Sequence, residues 1–573
     1  MTESKNYIPN HADRRRFQFS LTRTTVIAII CSSIFVLTHR VYSFPVFLAS
    51  DHQRSRTEGR SILSNSRSTP KEGNAEYSDE IEEAIELGRS ELGKYYDFPL
   101  DDWQLQAGGD ILNGHNVIVC APTGSGKTVV GEMALHTAFD RDLDGIYTTP
   151  LKALSNQKYT DFRQLFGRDN VGLSTGDVSI NREKARLTVM TTEVYRNIAW
   201  RSSAQSSEID SLNSQDEENM VSKNNSGNNL RKNAMVVLDE FHYMGQPGRG
   251  GVWEECVITS PAHTQIIGLS ATLPNALELA KWMESVTGRS TILIEAPGAR
   301  PVPLKYLFAT REGLFPLFRN EDAGPGSPLG LLGYRERLTR REMRKAVPSL
   351  MILLTRLKEK NLLPAIFFIF SRKGCDETAE NLCNGFKGPL NPNIDLENDE
   401  NLQKSVAQFN DENPEIAFTD DVVEQLMFGL GRHHAGMLPA HKMLIENLFR
   451  NNLMKAVFAT ETLSAGINMP ARTTVICSLA KRGDSGMVLL ETSNLLQMAG
   501  RAGRRGFDEK GTCVLVATPF EGEDIAATLL TNPVKPITSQ FRPSYALTVN
   551  LIARGNGSLS IAKQLVSKSF ANW

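Results

Sequence analysis

The chain has 573 residues, of which 40% are hydrophobic and 22% charged, a composition typical of globular proteins and a length sufficient for several domains. Its formal net charge of -2 excludes nucleic-acid binding through bulk positive charge, so phosphate contacts require a local groove. The seven cysteines form no CxxC pair and several lie in apolar runs, which favours buried thiols over a zinc site or a disulfide framework.

The N-terminus has the features of a targeting sequence. Three arginines at positions 14–16 and then Arg23 precede an apolar run over residues 24–38. This run is shorter than the ~20 residues of a membrane-spanning helix and fits the apolar region of a secretory signal peptide. Phe44 follows the candidate cleavage site, and Ser- and Arg-rich sequence comes after it.

Together these features resemble the bipartite presequence of algae with secondary plastids. We therefore expect a signal peptide over residues 1–43 and a disordered, transit-peptide-like segment over residues 44–77. The expected location is a plastid, with no stable membrane association after processing. The alternatives are a plain signal peptide for the secretory pathway and a short membrane anchor.

Beyond the presequence, an acidic amphipathic helix is predicted over residues 78–94, and strand-like apolar runs then alternate with helix-compatible stretches. The strand candidates of the first half are residues 116–120, 145–149, 187–190, 234–238 and 265–269. Those of the second half are residues 365–370, 455–458, 473–477 and 512–517. Two sets of similar size predict an α/β fold with two tandem, doubly wound domains, at residues 78–297 and 298–533.

Three segments interrupt this alternation. Residues 202–233 are rich in Ser, Asn and acidic residues and nearly lack apolar ones, so we expect a disordered surface insertion in the first domain. Residues 389–421 are acidic and Asn-rich, which predicts a loop with short helices. The Arg-rich residues 334–345 suit either a nucleic-acid contact or a solvated helix face near the domain junction, and their spacing favours the helix face.

The strongest local signal is a glycine-rich loop between a strand and a helix-compatible run. Gly124 and Gly126 allow backbone N–H groups to surround an anion, and the dipole of the following helix adds to the attraction. Lys127 can reach the β- and γ-phosphates of a nucleotide, and Thr128 can hold Mg²⁺. The predicted phosphate-binding loop consists of Ala121, Pro122, Thr123, Gly124, Ser125, Gly126, Lys127 and Thr128.

An acidic pair follows the apolar run over residues 235–238. Asp239 and Glu240 therefore fall at the C-terminal edge of a parallel sheet, where ligands bind. We expect Asp239 to hold Mg²⁺ through water and Glu240 to polarise the attacking water. Downstream of a phosphate loop, this pair predicts an enzyme that hydrolyses a nucleoside triphosphate with Mg²⁺ as its metal cofactor.

These residues resemble the DExH-box helicases of superfamily 2, and the family's further motifs follow in order. They lie at residues 149–154, 174–177, 191–197, 270–272, 370–373, 433–436, 459–470 and 497–508. Residues 433–439, 460–470 and 497–506 resemble the superkiller-like branch, and residues 478–482 and 541–551 resemble its plastid RNA helicases from plants and algae. The resemblance implies two RecA-like domains and a truncated winged-helix region at residues 534–573. We therefore expect the ATP site to be complete, whereas processive unwinding of a duplex is not expected.

The resemblance also implies the roles of single residues. Gln104 would read adenine, Gly466 would lie near the nucleotide, and His242 would link the acidic pair to the facing domain. Arginine fingers from the second domain are worth ~10³–10⁵ in rate, and hydrolysis then requires closure of the cleft. The implied catalytic residues are Lys127, Asp239, Glu240, His242, Gln497, Arg501 and Arg504.

A nucleic-acid strand is expected to lie across both domains, held through phosphates and sugars because a translocating motor does not read sequence. The candidate contacts are Pro150, Lys152, Thr175, Gly176, Thr192, Ser371, Arg372 and Thr460. A hairpin over residues 478–491 would split the duplex. His433 and His434 lack accompanying metal ligands in the sequence, so we expect them to be structural.

The implied function is that of an ATP-dependent RNA helicase, which couples ATP hydrolysis to strand translocation and to duplex unwinding or RNP remodelling. Its partners would be single-stranded and duplex RNA, together with plastid RNA-processing or ribosomal factors. The alternatives are a DNA helicase of the same superfamily and an ATP-regulated RNA-binding scaffold. The intact Lys127, Asp239, Glu240 and Arg501 argue against the scaffold.

Overall fold

The computed structural model describes residues 73–212, 234–296, 300–318, 340–387, 399–464, 466–467, 469–483, 486–542, 545, 547–549 and 559–573. The helices are α1 (Gly73–Leu92), α2 (Asp102–Leu112), α3 (Lys127–Asp140), α4 (Lys152–Phe166), α5 (Thr192–Leu212), α6 (Gly251–Thr259), α7 (Ala276–Thr287), α8 (Arg340–Ala346), α9 (Leu350–Glu359), α10 (Arg372–Phe386), α11 (Glu400–Glu412), α12 (Asp420–Met427), α13 (Pro439–Arg450), α14 (Thr492–Ala499), α15 (Glu523–Thr531) and α16 (Leu559–Ser567). Short 3₁₀ turns lie at Gly93–Tyr95, Arg168–Asn170, Phe241–Gly245, Pro414–Ile416 and Glu461–Ser464.

The strands fall into two larger sheets and one hairpin. They are β1 (Asn116–Cys120), β2 (Asp144–Thr149), β3 (Val171–Ser174), β4 (Ser179–Ile180), β5 (Leu187–Thr191), β6 (Ala234–Leu238), β7 (Gln265–Ser270), β8 (Thr291–Glu295), β9 (Leu304–Ala309), β10 (Leu314–Pro316), β11 (Ala365–Phe368), β12 (Leu430–His433), β13 (Ala456–Ala459), β14 (Thr473–Ile476), β15 (Ala480–Gly483), β16 (Gly486–Leu489) and β17 (Gly511–Val516).

The first sheet has the order β4-β3-β5-β2-β6-β7-β1-β8 among the described residues, and it is parallel except for the short strand β4. All residues of β1, β6 and β7 are buried, as expected for parallel strands covered by helices on both faces. Strand β7 lies between β1 and β6. The loop after β1 and the acidic pair after β6 therefore leave the same edge of the sheet, one strand apart.

The second sheet has the order β10-β9-β17-β14-β11-β13-β12 in the described part of the chain, and only its edge pair β10-β9 is antiparallel. Its apolar strands pack against helices on both sides, with residues such as Phe367 and Phe458 fully buried. Because β8 pairs in the first sheet and β9 in the second, the chain passes between domains after Glu295 and before Leu304.

The two sheets confirm the predicted α/β fold with tandem RecA-like domains. Each strand predicted from an apolar run is present, with ends shifted by two residues or fewer. The acidic helix expected at residues 78–94 begins earlier and ends earlier, as α1. The segment at 389–421 contains the predicted helices, α11 and the start of α12, within its described part.

One expectation was wrong in part. Helix α5 continues to Leu212, into the segment at 202–233 that we expected to be disordered. Its first turns are anchored by buried residues such as Tyr195 and Trp200, and a helix already nucleated extends at little cost. Residues 213–233 lie outside the described part of the chain.

The predicted presequence also lies outside the described residues, except for its last few positions. The same holds for the first part of the Arg-rich segment 334–345, whose remainder forms most of α8. Among the described residues, none of the helices combines the length and the apolar character needed to span a membrane.

The final segment of the chain returns to the first domain. The backbone of Ile537 exchanges two hydrogen bonds with the Asn275 side chain, at 2.9 and 3.0 Å. The indole of Trp282 donates to the Lys568 carbonyl at 2.9 Å, and the Phe570 ring lies 5.6 Å from the indole. The second domain is therefore connected to the first at both of its ends.

A buried carboxylate anchors this return. Glu254 of α6 has no solvent exposure, and it accepts hydrogen bonds from the Ser539 hydroxyl at 2.9 Å and from the Phe570 N–H at 2.6 Å. Burial is the largest influence on this carboxyl and raises the pKa of Glu254 to about 7. One side chain thus holds two separate parts of the C-terminal segment.

Candidate functional site

The loop over residues 121–126 joins β1 to α3 at the edge of the first sheet. Gly124 and Gly126 have φ of +86° and +92°, a backbone region that strongly favours glycine. Helix α3 begins at Lys127, so its free N–H groups and positive dipole end face the loop. The local sequence therefore builds a cradle for an anion.

Side chains of the loop keep it closed. The Lys127 ammonium donates to the Ala121 carbonyl at 3.0 Å, and the Ser125 hydroxyl donates to the Pro122 carbonyl at 2.8 Å. Lys127 is thus held beside the cradle, where phosphate oxygens could replace the carbonyl. Thr128 follows it in the first turn of α3, half-buried. The arrangement fits the nucleotide phosphates that the sequence predicts.

Gln104 connects this loop to the start of α2. Its Oε1 accepts from the Asp101 N–H at 2.9 Å, and its Nε2 donates to the Gly126 carbonyl at 3.2 Å. The residue is almost completely buried. Gln104 therefore lies beside the phosphate loop, and its amide links that loop to the start of α2.

The acidic pair extends from the end of β6. The two Asp239 carboxylate oxygens accept from the Tyr147 hydroxyl at 2.9 Å and the Glu240 N–H at 2.8 Å. Burial, and then the neighbouring charge of Glu240, raises the pKa of Asp239 to about 6. A divalent cation would offset both effects, so the residues present fit Mg²⁺ held by Asp239 together with Thr128 and a nucleotide.

His242 lies on the 3₁₀ turn after the acidic pair. Its Nδ1 accepts from the Ala271 N–H at 3.4 Å and lies 3.4 Å from Glu240 Oε2. Burial, and then the nearby Lys127 charge, lowers the pKa of His242 to about 3, so the ring is neutral near pH 7. These partners are all in the first domain. The structure thus gives His242 a link within that domain, where we expected a link across the cleft.

Arg501 approaches the acidic pair from the second domain. Its guanidinium donates to the Ser464 carbonyl through Nε at 3.1 Å and to the Ile467 carbonyl through Nη1 at 2.6 Å. Burial lowers the pKa of Arg501, whereas Glu240 and Asp239 are near enough to raise it. A Cβ on the neighbouring Gly500 would lie 2.7 Å from Thr123 of the phosphate loop, so the cleft is closed beside Arg501. Gln497 lies half-buried on α14, one turn before it.

Arg504 has a different position from the one expected. Its guanidinium donates to both Asp508 oxygens, at 2.8 and 3.0 Å, and to Asn452, so it is held within the second domain. Arg472 donates to the same carboxylate at 2.9 Å. Burial opposes ionisation, but these hydrogen bonds outweigh it and lower the pKa of Asp508 to about 2. In this arrangement Arg504 stabilises the domain and does not face the phosphate loop.

Two other arginines lie at the phosphate loop instead, and neither was predicted. The Arg505 guanidinium is 3.8 Å from the Asp101 carboxylate and 3.8 Å from where a Cβ on Gly126 would lie. Arg300 donates to the carbonyls of Gly500 and Ala502 at 2.9 and 3.2 Å. Arg505 directly follows a predicted residue, which was the available signal, whereas no motif pointed to Arg300.

Three of the expected strand contacts form one cluster on the first domain. The Lys152 ammonium lies 2.8 Å from the Asp177 carboxylate, and the Thr175 hydroxyl donates to the same oxygen at 3.1 Å. Gly176 between them is exposed. Lys152 and Asp177 are more than half exposed, so a phosphate can compete for Lys152.

The Thr192 side chain does not face solvent as the strand-contact prediction requires. It is completely buried, and its hydroxyl donates to the Thr149 carbonyl at 3.1 Å. The carbonyl of Pro150, another predicted contact, accepts a hydrogen bond from Arg249. Both residues thus help to hold the strand-contact loops in place.

The second domain carries the remaining expected contacts. The Ser371 hydroxyl accepts from the Gly374 N–H at 3.1 Å and caps α10, while Arg372 beside it is exposed. The Thr460 hydroxyl shares a 3.0 Å hydrogen bond with Thr462. Ser371, Arg372 and Thr460 remain candidates for strand binding.

The predicted hairpin at 478–491 is present as the antiparallel pair β15-β16. Met487 near its tip is 69% exposed, and Lys481 at its base bonds both oxygens of Glu461, at 2.6 and 2.7 Å. His433 pairs with Glu446 at 2.8 Å and His434 with Asp376 at 3.0 Å, which agrees with structural roles.

Comparison with known proteins agrees with this geometry. Residues 101–280 match the DEAD/DEAH box helicase model, and residues 400–506 match the helicase conserved C-terminal domain. The chain belongs to the DExH-box helicase family. The first match contains the phosphate loop and the acidic pair, and the second contains Arg501 and Gly466 of this DExH-box protein.

Several curated relatives align with most of the chain. It is 38% identical over 593 residues to the chloroplastic DExH-box ATP-dependent RNA helicase DExH15 of Arabidopsis thaliana, covering 92% of this chain and 47% of that protein. It is 37% identical to the probable helicase HelY of Mycobacterium tuberculosis, covering 83% and 51%. Superkiller complex protein 2 of Mus musculus is 36% identical, covering 79% and 36%. The chain therefore spans about half the length, or less, of these relatives.

Proposed function

We propose that this chain is an RNA-dependent ATPase that uses ATP hydrolysis to move along RNA and to unwind duplexes or remodel RNPs. The observation that carries the proposal is the closed cleft, in which Gly500 of the second domain, next to Arg501, meets Thr123 of the phosphate loop. The acidic pair leaves the same edge of the sheet as that loop, one strand away. We also propose the domain bounds 78–297, 298–533 and 534–573 for the two RecA-like domains and the partial winged-helix region.

The arrangement supports a hydrolytic mechanism. Lys127 and the loop N–H groups hold the β- and γ-phosphates, and bound Mg²⁺ would neutralise part of their charge. Glu240 orients the attacking water. Arg501 stabilises the charge that develops on the transferred phosphoryl group, and it can do so only while the cleft is closed.

RNA is the favoured strand because several relatives are described as RNA helicases, including the Arabidopsis protein. The exposed Lys152 cluster suits contacts to a phosphate backbone, which either nucleic acid supplies. A role in plastid RNA processing or ribosome assembly, with factors of those pathways as partners, is supported by the chloroplastic relative and the presequence-like N-terminus.

The test is the ATPase rate of the chain with no nucleic acid, with single-stranded RNA and with single-stranded DNA. We expect RNA to stimulate hydrolysis more than DNA, and Lys127→Ala and Glu240→Gln to abolish it. Greater stimulation by DNA would favour the DNA helicase alternative. Strand binding that responds to ATP, without hydrolysis and unchanged in Glu240→Gln, would favour the scaffold.

A further inference from the structure

Arg249 lies between the 3₁₀ turn Phe241–Gly245 and α6, and none of the motifs discussed above contains it. Its Nε and Nη2 donate to one Glu193 carboxylate oxygen, at 3.0 and 2.7 Å, and its Nη2 also donates to the Pro150 carbonyl. Pro150 precedes the Lys152 strand contact, and Glu193 follows Thr192. One guanidinium therefore joins the Pro150–Lys152 loop to the start of α5.

An aromatic ring connects Arg249 to the acidic pair. Its guanidinium carbon lies 5.6 Å from the centre of the Trp253 ring. Trp253 is completely buried, and its indole N–H points to the Asp239 carbonyl at 3.5 Å. A continuous series of contacts thus runs from Pro150 through Arg249 and Trp253 to Asp239.

The exposure of Arg249 indicates what these contacts do. About a third of the side chain is exposed, as is about a third of the Glu193 side chain, and ion pairs with this exposure contribute little to stability. A planar guanidinium does, however, fix the geometry of the acceptors on its fork. Arg249 is therefore better suited to setting the position of the Pro150–Lys152 loop relative to α5 than to stabilising the fold.

We propose that Arg249 is a positioning residue that couples strand binding at the Pro150–Lys152 loop to the Asp239–Glu240 pair. The proposal rests on the proposed RNA-dependent ATPase function. A strand phosphate at Lys152 would fix the loop whose carbonyl Arg249 holds. The acidic pair would then be biased towards its hydrolytic position through Trp253, which is a coupling between two sites.

The chain offers a closely matched control in Arg186. This arginine also contacts a carboxylate, a backbone carbonyl and an aromatic ring: Asp142 at 3.0 Å, the Phe139 carbonyl at 2.6 Å and the Phe139 ring at 4.4 Å. Its side-chain exposure of 28% is close to the 32% of Arg249. It lies at the opposite edge of the same sheet, beside the N-terminal end of β2.

The experiment compares the basal ATPase rate, the rate with saturating single-stranded RNA, the KM for ATP and the RNA affinity of the wild type, Arg249→Ala, Arg249→Lys and Arg186→Ala. We expect Arg249→Ala to keep its basal rate and KM within about twofold and to lose about tenfold in RNA stimulation, a change typical of coupled sites. Arg249→Lys should retain only part of the RNA stimulation, since the point charge of lysine cannot hold two acceptors in a fixed geometry. Arg186→Ala should behave like the wild type.

A second comparison separates coupling from damage to the fold. Glu193→Gln should also reduce the stimulation, and the loss in Glu193→Gln/Arg249→Ala should be smaller than the product of the single losses, because both act through one contact. Full stimulation in Arg249→Ala, or an equal loss in Arg186→Ala, would overturn the inference. A wild-type chain with ATPase activity that RNA does not stimulate would overturn the proposed function, and this inference with it.

Discussion

Gly466 lies so close to Leu154 that a Cβ atom on the glycine would be 2.3 Å from the leucine Cδ2. Leu154 belongs to α4 of the first domain, two residues after Lys152, and Gly466 belongs to the second domain and has φ of +74°. The two domains therefore touch close to Lys152, at a point where a Cβ would have to displace the buried Leu154 side chain.

Replacing Gly466 should prevent full closure of the cleft between the two domains. Gly466→Ala adds a methyl group against Leu154 and a backbone strain of about 1–2 kcal/mol, so we expect kcat to fall by more than about tenfold. Nucleotide binding to the phosphate loop should change little, which a fluorescent-nucleotide titration would show. Gly93→Ala is the control, since a Cβ there would meet nothing within 4 Å. Equal kcat values for the two variants would contradict the prediction.

Arg504 and Arg505 should differ in what they affect. Arg504→Ala leaves the buried Asp508 with Arg472 as its other guanidinium partner, and we expect a loss of about 1–3 kcal/mol in the free energy of unfolding. Arg505→Ala should leave the melting temperature unchanged and raise the KM for ATP, because Arg505 lies at the phosphate loop. Thermal unfolding and ATPase kinetics measure both. If Arg504→Ala lowers kcat without lowering stability, Arg504 faces the phosphates during the cycle.

The Lys152 cluster predicts the salt dependence of strand binding. If Lys152 contacts one phosphate, Lys152→Ala should reduce the slope of log affinity against log salt by about 0.7 for a single strand. Asp177→Asn removes the carboxylate that competes for the ammonium and should raise the affinity by about two- to fivefold. Fluorescence anisotropy at several salt concentrations tests both. An unchanged slope in Lys152→Ala would exclude the contact.

Docking of the C-terminal segment should depend on pH through Glu254. Its pKa is about 7 in the folded chain, and an ordinary glutamate has about 4.3, so the folded state holds a proton that the unfolded state releases. Stability from this group is therefore largest at low pH and falls as pH rises towards 7, by at most about 1.4 kcal/mol per pH unit. Glu254→Gln should flatten this dependence in unfolding experiments between pH 5 and 8. If the free energy of unfolding depends on pH equally in the wild type and Glu254→Gln, other titrating groups cause the dependence.

Local patterns were sufficient to predict the phosphate loop and the central strands of both sheets, whereas strands nearer the edges, β3, β4, β8, β9, β10 and β12, were not predicted. The run at β1 followed by Gly124, Gly126 and Lys127 specifies strand, turn and helix start through neighbours in sequence. The second-sheet strand β12 was missed because it contains Arg432 and His433, whose polar groups are satisfied by distant residues such as Asp376 and Glu446.

Side-chain direction was harder to predict than position. Thr192 has a residue type that suits a phosphate contact, but tertiary packing turns its hydroxyl inward to Thr149. Arg504 is held by Asp508, four residues later, and nothing in the motif indicates whether an arginine bonds its own turn or a ligand. Arg249 and Arg300 act through contacts with residues far away in sequence, which a reading of local motifs cannot reveal.

The return of the chain to Asn275 has a mechanical consequence. The second domain is attached to the first both between Glu295 and Leu304 and near Ile537. Two attachment points define an axis, so the second domain can swing about the line between them more easily than it can slide or separate. Opening and closing of the cleft then follow a nearly fixed arc, which would bring Arg501 back to the same place beside Glu240 at every turnover.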